Sequence, residues 1–190
     1  MELDYKLIAG VDEVGRGCLS GSVVAAAVIL PKGFHDVRIK DSKAIKSQKK
    51  REEVEKIIKD NAIAWAIGES SSQEIDQINI LQATFLAMKR AIDSLGKIPE
   101  YLYIDGDKFQ GHKGIPYECV IKGDSKIHSI SAASILAKVH RDRLMQSLAP
   151  EFPSYLWEKN MGYGTPDHIK AIMETGLSKY HRKTFCTNFI

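Results

Sequence analysis

Residues 7–17 read Leu-Ile-Ala-Gly-Val-Asp-Glu-Val-Gly-Arg-Gly, and this stretch decides the fold. An apolar run, Leu7–Val11, ends in the adjacent acids Asp12 and Glu13, and Gly15-Arg16-Gly17 follows almost at once. The run predicts a buried strand. Two carboxylates that lose water beside such a strand cost free energy unless a cation neutralises them. The stretch therefore predicts a cation site at a strand end, next to a glycine loop open to an anionic ligand.

The rest of the chain predicts alternating strands and helices. Strands are predicted at Leu7–Val11, Ser22–Leu30, Ala62–Gly68, Tyr101–Asp105 and Tyr117–Ile121, and helices at Ser47–Asn61, Ile78–Leu95, Ile127–Leu148 and from Thr165 onward. The short Gly17–Gly21 connection favours an antiparallel first pair. Strand–helix–strand units after such a pair predict an α/β fold, with a mixed five-stranded sheet flanked by helices and a small helical C-terminal region.

Composition indicates one globular domain in a reducing compartment. The chain has 190 residues, 44% of them hydrophobic, which is enough for one sizeable core, so we expect a single domain over residues 1–190. The net charge of +3 is compatible with a nucleic-acid partner and equally with an ordinary, slightly basic protein. Three widely spaced cysteines, Cys18, Cys119 and Cys186, form no C-x-x-C pair, which disfavours a zinc ribbon. No apolar stretch is long enough to cross a bilayer, so we expect a cytoplasmic protein without membrane contact.

Acids recur at the ends of predicted strands. Asp12-Glu13 follows the first strand, Asp105 ends the fourth, and Asp124 follows the fifth. Each acid alone is also explained by turn or helix-cap chemistry. If the strands are adjacent, however, four carboxylates converge and repel one another without a counter-ion. Adjacent strand residues point to opposite faces, so Asp12 and Glu13 share a site only at a strand end or bulge, or when they serve different ions.

Hard divalent cations satisfy such a set, because Mg²⁺ and Mn²⁺ prefer carboxylate oxygen and water. Two ions roughly 3.5–4 Å apart support in-line attack on a phosphodiester. The other common catalytic motifs are missing from the sequence, which has neither a G-x-S-x-G elbow nor a G-x-x-x-x-G-K-[ST] phosphate loop. The pattern therefore favours metal-dependent phosphoryl transfer.

At these residues the chain resembles the bacterial type 2 ribonucleases H, the ribonuclease HII family. The matching pieces run in family order over nearly the whole chain: Gly10–Gly17, Val24–Val28, Asp41–Lys43, Ile104–Gly106, Lys122–Ser125, Ser131–Lys138, Gly162–Thr165 and His181-Arg182. The resemblance implies a ribonuclease H-like fold. It also implies cleavage of RNA in RNA–DNA hybrids, including single ribonucleotides embedded in duplex DNA, with Mg²⁺ or Mn²⁺ as cofactor.

The resemblance also assigns roles to residues. It makes Asp12, Glu13, Asp105 and Asp124 the metal-binding catalytic carboxylates. Gly15, Arg16 and Gly17 would sense the ribose 2′-hydroxyl, the group that distinguishes RNA from DNA. Tyr163 would pack against the sugar at the junction, Lys43 would contact a phosphate, and the helical part at residues 150–190 would contact substrate. Without the resemblance, the two glycines are also explained as turn residues, and Tyr163 as a core aromatic.

Two rival functions remain open at this point. One is a DNA nuclease or resolvase on the same fold, which would have no need of a 2′-hydroxyl sensor at Gly15-Arg16-Gly17. The other is a non-catalytic module that binds hybrids, to which a set of phosphate-repelling carboxylates would bring no advantage. We expect a monomer. The tail Phe185–Ile190 is compatible with docking on a sliding clamp but lacks a convincing motif.

Overall fold

The computed structural model describes residues 5–40, 42, 45 and 47–190. In chain order its elements are β1 (Ile8–Val14), β2 (Val23–Ile29), α1 (Gln48–Asn61), β3 (Ala64–Ser70), α2 (Ser72–Asp93), β4 (Tyr101–Asp105), β5 (Tyr117–Val120), α3 (His128–Leu148), α4 (Trp157–Asn160) and α5 (Pro166–Thr175). Short 3₁₀ turns lie at Gly123–Ser125, Ala149–Glu151, Pro153–Tyr155 and Lys183–Phe185.

The five strands form one mixed sheet in the order β3-β2-β1-β4-β5. β1 pairs antiparallel with β2 and parallel with β4, and β4 pairs parallel with β5. The predicted antiparallel start and the mixed five-stranded sheet are therefore confirmed. The arrangement places the carboxyl ends of β1 and β4 side by side, with Val11 opposite Ile104 as their last pair.

Helices cover both faces of the sheet, and the strand period of two decides which residues meet which helix. Ala9 and Val11 pack into a core with apolar residues of α2 such as Phe85 and Met88. Gly10 faces the other side, where the backbone of Ser129 in α3 lies so close that a Cβ on Gly10 would sit 2.3 Å from its carbonyl carbon. The glycine thus lets α3 begin directly on β1.

The small side chains of α3 let this helix lie close on the sheet. Ala133 and Ala137 are fully buried, and they belong to a core cluster with Val24 and Ala26 of β2. Close packing of this kind fixes the helix against the strand, because interiors have few voids into which an element can shift. Side chains of α3 therefore have defined positions relative to β1.

Two predicted boundaries were wrong. β1 continues to Val14 because Glu13 and Val14 still pair with β2, so the acids lie inside the strand rather than after it. The second long helix begins at Ser72 instead of Ile78, and Ser71 and Glu74 form a capping box at its start. This helix breaks at Asn79, whose φ of 66° is left-handed and whose side chain caps the following turn.

The C-terminal part is helical, as predicted. Its own apolar cluster centres on the fully buried Trp157 and includes Tyr155, Ile172 and Cys186, together with Met145 from the end of α3. Thr165 caps α5 and Pro166 occupies its first turn, which confirms the predicted helix start. In the part of the chain that the structure describes, no helix combines the length and hydropathy needed to cross a membrane.

Candidate active site at the ends of β1 and β4

Asp12 and Glu13 point to opposite faces of the sheet. Asp12 pairs with Ala26, which belongs to the core cluster under α3, while Glu13 pairs with Ala25, which belongs to the cluster under α2. Asp12 is 5% exposed, and its Oδ1 accepts a hydrogen bond of 2.7 Å from the backbone N–H of Glu13. The two acids therefore approach a common site from either side of one strand.

Asp105 and Asp124 lie next to this strand end. Asp105 is the last residue of β4, and its Oδ1 accepts the backbone N–H of Gly123 at 2.7 Å and that of Asp124 at 3.3 Å. Asp124 is 5% exposed in the 3₁₀ turn that precedes α3, and its carbonyl accepts the Ser131 hydroxyl at 2.7 Å. These bonds join the turn before α3 to the end of β4.

The electrostatics of the acids favour the binding of a cation. Burial raises the pKa of the Asp12 carboxyl well above its usual value, and the nearby charges of Glu13 and Asp105 raise it further. Burial also raises the pKa of Glu13, although the Arg16 guanidinium, 3.3 Å from its Oε1, opposes that rise. Carboxylates that disfavour their own ionisation in this way are stabilised by a bound cation.

The donor set fits a hard divalent ion in chemistry, since every candidate ligand is a carboxylate oxygen. Across the ranges that the structure describes, no three His, Cys, Asp or Glu side chains already form a complete ligand set. Mg²⁺ typically keeps several waters and takes only one or two carboxylates, with substrate phosphates completing its shell. The residues therefore fit an ion held by few protein ligands.

Cavities open on both sides of β1 at this point. Glu13, Arg16 and Asp105 line one of about 250 Å³, together with Thr84 and Phe85 of α2. A second cavity of about 150 Å³ lies on the α3 side. It is lined by Asp12, Glu13, Val14, Ser42, Ile45, Arg51, Ser134, Lys138 and Tyr163. Glu13 lines both cavities, so the strand end forms a partition between two openings that each carry acids.

The Gly15-Arg16-Gly17 loop is held from behind by Arg182, whose side chain is fully buried. Its guanidinium donates to the carbonyls of Gly15 at 2.7 Å, Arg16 at 2.8 Å and Gly21 at 2.9 Å. Burial lowers the pKa of Arg182 to about 10, which leaves it charged at neutral pH. Because the carbonyls turn inward to this cation, Arg16 and Gly17 remain exposed at the surface.

Arg141 of α3 supports the same loop and connects it to the segment of Tyr163. Its fully buried guanidinium donates to the carbonyls of Ser20 at 2.9 Å, Ser22 at 3.0 Å and Met161 at 2.7 Å. Its Cζ lies 6.0 Å from the centroid of the Tyr163 ring. Arg141 therefore fixes the loop and the aromatic residue relative to each other.

Alanine at Gly15 and alanine at Gly17 are expected to behave differently. Gly15 has a φ of +90°, and a Cβ there would lie 2.2 Å from Nε of Arg141. Positive φ and overpacking each cost about 1–3 kcal/mol, so we expect Gly15→Ala to lower the free energy of unfolding by about 2–4 kcal/mol. A Cβ on Gly17 meets no atom within 4 Å. Denaturant unfolding should therefore find Gly17→Ala as stable as the wild type, and equal losses for both variants would contradict this view of the loop.

Tyr163 is 40% exposed beside Asp12, at the mouth of the α3-side cavity. Burial raises the pKa of the Tyr163 phenol, and the buried Cys18 thiol nearby raises it further. The Tyr163 carbonyl accepts Nδ1–H of the fully buried His168 at 2.8 Å. The ring is thus a partly exposed aromatic surface rather than a core residue, although its backbone is held firmly.

A pair of neutral histidines supports that backbone. Nδ1 of His168 donates to a carbonyl, so its Nε2 carries no proton and accepts from Trp157 at 3.1 Å and from Nε2–H of His181 at 3.1 Å. His181 in turn accepts the Ser178 N–H at its Nδ1. Burial, and then the neighbouring His168, lower the pKa of His181 to about 4. The pair therefore stays uncharged near neutral pH and acts as a hydrogen-bonded brace.

The structure brings Asp12, Glu13 and Asp105 into mutual electrostatic contact and joins Asp124 to them through the backbone. Lys43 lies outside the described residues. Arg141 and Ser134 were not assigned any role from the sequence. The available signal for Arg141 was its spacing: it follows Ala137 by four positions and so continues the buried stripe of a helix.

A mixed five-stranded sheet with acids at the ends of its central parallel strands defines this chain as a ribonuclease H-like nuclease. Comparison with known proteins is more specific, because the family model described as Ribonuclease HII matches residues 9–188. A ribonuclease HII of Pelagibacter ubique is 56% identical over 180 residues, which cover 95% of this chain and 96% of that protein. One of Bacteroides thetaiotaomicron is 54% identical over 177 residues, covering 93% and 88%. The chain belongs to the ribonuclease HII family and is a ribonuclease H enzyme.

Solved structures show the same fold. The ribonuclease H2 of Pyrococcus horikoshii OT3 superposes with a TM-score of 0.81 at 24% identity, covering 96% of each chain. The ribonuclease HII in the PCNA complex from Archaeoglobus fulgidus gives 0.78 at 26% identity, also covering 96% of each chain. Bst-RNase HIII in complex with Mn²⁺ gives 0.77 at 17% identity and covers 96% of this chain and 68% of the other. The predicted ribonuclease H-like fold is confirmed.

Proposed function

We propose that this enzyme hydrolyses the RNA strand of RNA–DNA hybrids, including single ribonucleotides embedded in duplex DNA, with Mg²⁺ or Mn²⁺ as its cofactor. The observation that carries the proposal is the position of the buried Asp12 and the partly buried Glu13 between the exposed Arg16 loop and the exposed face of Tyr163. Membership of the ribonuclease HII family supports the substrate class. The Mn²⁺ complex of Bst-RNase HIII supports the cofactor class.

Asp12, Glu13, Asp105 and Asp124 are the residues that would hold the metal. When bound, two divalent ions would activate the attacking water and stabilise the leaving oxygen of the phosphodiester. The protein would contribute by fixing carboxylates on both sides of β1, so that they could act on the scissile phosphate from both faces of the strand. Burial of Asp12 keeps water away from that carboxylate and strengthens its attraction for a cation.

The loop Gly15-Arg16-Gly17 and Tyr163 would select the ribose. Arg182 and Arg141 bind the carbonyls of residues 15, 16, 20, 21 and 22, which leaves the loop's outer surface available to a nucleotide. A surface held so rigidly can discriminate a single 2′-hydroxyl, because no loop entropy is lost on binding. Tyr163 offers its ring to the sugar at the RNA–DNA junction, and the helical residues 150–190 that carry it form the neighbouring part of the substrate surface.

The two rival functions are less well supported. A DNA nuclease of the same fold would not need two buried arginines to fix a glycine loop beside its acids. A non-catalytic binding module would not retain a raised-pKa carboxylate such as Asp12 facing a polyanion. The proposed contact of Lys43 with a phosphate and the single catalytic domain over residues 1–190 remain predictions.

The decisive experiment uses duplex DNA that contains one ribonucleotide, an RNA–DNA hybrid and an all-DNA duplex as the matched control. Each is incubated with the enzyme in Mg²⁺, in Mn²⁺ and with a chelator, and the cuts are mapped at nucleotide resolution. We expect cleavage at the ribonucleotide and within the hybrid, full inhibition by the chelator, and an intact all-DNA duplex. Cutting of the all-DNA duplex would favour the nuclease rival, and binding without cutting would favour the binding module.

Contact with a sliding clamp is a further part of the proposal. The Archaeoglobus fulgidus enzyme was solved in a complex with PCNA, which supports such a contact. At the tail of the present chain Ile190 is 73% exposed, whereas Phe189 packs against the C-terminal cluster. Clamp binding through this tail would be lost on deleting residues 189–190, as surface plasmon resonance against the cognate clamp can measure. Undiminished binding would exclude the tail. That the enzyme acts as a monomer remains a prediction.

A further inference from the structure

Two buried serines lie behind Asp12 on the α3 side of the site. Ser134 of α3 is 6% exposed and Ser42 is 7% exposed, and their hydroxyl oxygens are 2.9 Å apart. The Ser134 side chain also interacts with the Asp12 carboxyl and lowers its pKa, against the rise that burial causes. All three side chains line the same cavity of about 150 Å³. Both serines lie in segments that carry the family resemblance, Asp41–Lys43 and Ser131–Lys138, yet neither has a role in the function proposed so far.

The direction of the hydrogen bonds follows from the chemistry of the groups. When Asp12 is ionised, as a metal ligand must be, its carboxylate only accepts, so the single proton of Ser134 points toward Asp12. Ser134 must then accept from Ser42, because the 2.9 Å contact needs one donor. The Glu13 N–H already occupies Oδ1 of Asp12. Two donors on fixed elements, β1 and α3, thus determine the rotation of this carboxylate and the direction of its remaining lone pairs.

We infer that Ser134, oriented by Ser42, is a positioning residue that sets the Asp12 carboxylate for the divalent ion. The inference rests on the proposed function insofar as Asp12 is a metal ligand. Groups that orient metal ligands in this way change metal affinity by roughly 10–100-fold when they are removed. In the sequence Ser42 directly precedes Lys43, the residue proposed to contact a substrate phosphate.

The test measures Mn²⁺ binding by isothermal titration calorimetry on the nucleic-acid-free enzyme. We expect Ser134→Ala to weaken binding about tenfold and Ser42→Ala about threefold, since the first loses a hydrogen bond to a charged group and the second a neutral one. The double variant should be no weaker than Ser134→Ala, because Ser42 acts only through Ser134. Ser134→Thr, which retains the hydroxyl, should restore most of the affinity.

Kinetics and controls separate positioning from a structural role. In cleavage of an RNA–DNA hybrid, Ser134→Ala should raise the half-saturating Mg²⁺ concentration about tenfold while KM for the hybrid stays within about twofold. Ser72→Ala is the matched control, because Ser72 is also a buried helix serine, 3% exposed, but bonds only its neighbour Gln73 among the described contacts. Melting temperatures identify any variant that is unfolded, and Ser134→Cys, of similar volume but with a weak donor, then replaces Ser134→Ala.

Unchanged Mn²⁺ affinity in a folded Ser134→Ala enzyme would overturn the inference, as would additive losses in the double variant. Failure of the proposed function has a different signature: the wild type would bind Mn²⁺ yet leave both the hybrid and the embedded ribonucleotide uncut. In that case the calorimetric comparison of Ser134 variants still decides whether this residue positions Asp12, since it involves no nucleic acid.

Discussion

Replacing Asp12 with asparagine is expected to abolish cleavage while leaving the protein folded. The substitution keeps the shape of the side chain but removes the charge that would hold a cation, so we expect kcat/KM to fall by at least roughly 10³-fold, which is about 4 kcal/mol of transition-state stabilisation. The loss should appear with both Mg²⁺ and Mn²⁺. It is measured by steady-state cleavage of an RNA–DNA hybrid over a range of metal concentrations.

The same substitution should stabilise the metal-free protein. Asp12 is buried and repelled by Glu13 and Asp105, so its charge opposes folding when no cation is present. Removing that charge is expected to leave the melting temperature unchanged or to raise it by about 2–4 °C for each kcal/mol gained. Asp60→Asn, at the exposed end of α1, is a control that should change neither property. An Asp12→Asn enzyme with near wild-type rate in Mg²⁺ would refute the metal-ligand assignment.

Replacing Tyr163 with alanine is expected to change substrate preference rather than to abolish activity. Aromatic stacking on a nucleotide contributes about 1–3 kcal/mol, so cleavage at a single embedded ribonucleotide should fall roughly 10–100-fold. A long hybrid offers many registers and contacts, and its cleavage should fall by only about threefold, since it depends less on one junction. Comparison of kcat/KM on the two substrates gives the result directly.

Two variants serve as controls for Tyr163. Tyr163→Phe keeps the ring and should retain the preference, since the proposed contact with the sugar is made by the ring. Tyr117 is matched in exposure, at 41% against 40%, but lies on the edge strand β5, so Tyr117→Ala should leave the ratio of the two rates unchanged. Equal losses on both substrates for Tyr163→Ala would contradict a role at the junction.

Much of the fold was accessible from the sequence because its signals are local. The apolar runs predicted all five strands, whereas α2 begins at Ser72, after its capping residue Ser71, instead of at the predicted Ile78. The end of β1 was missed for a non-local reason. Asp12 and Glu13 look like the end of a strand by polarity, but their backbones are held by pairing with Ala26 and Ala25 of β2.

The acids of the site could be proposed from sequence because carboxylates after apolar runs are conspicuous. The residues that support these acids and the neighbouring loop could not be proposed in the same way. Ser134 and Arg141 lie on a helix rich in small residues, and only the packing of α3 on β1 brings one to Asp12 and the other behind Gly15. Arg182 belongs to the His181-Arg182 piece that carries the family resemblance. Its contacts with residues 15–21, however, join positions more than 160 residues apart in the chain. Such pairings are set by tertiary structure.

The close approach of α3 to Gly10 fixes the position of this helix, and with it the residues of the site that the helix carries. Ser134 and Arg141 both lie on this helix, so its rise of about 1.5 Å per residue fixes their spacing, and Asp124 lies in the 3₁₀ turn that precedes the helix. The proposed chemistry at the phosphate and the proposed discrimination at the sugar therefore depend on the position of this one helix. A substitution that moves α3 away from β1 is therefore expected to impair cleavage and sugar selection together, so that the two properties are lost or kept as one.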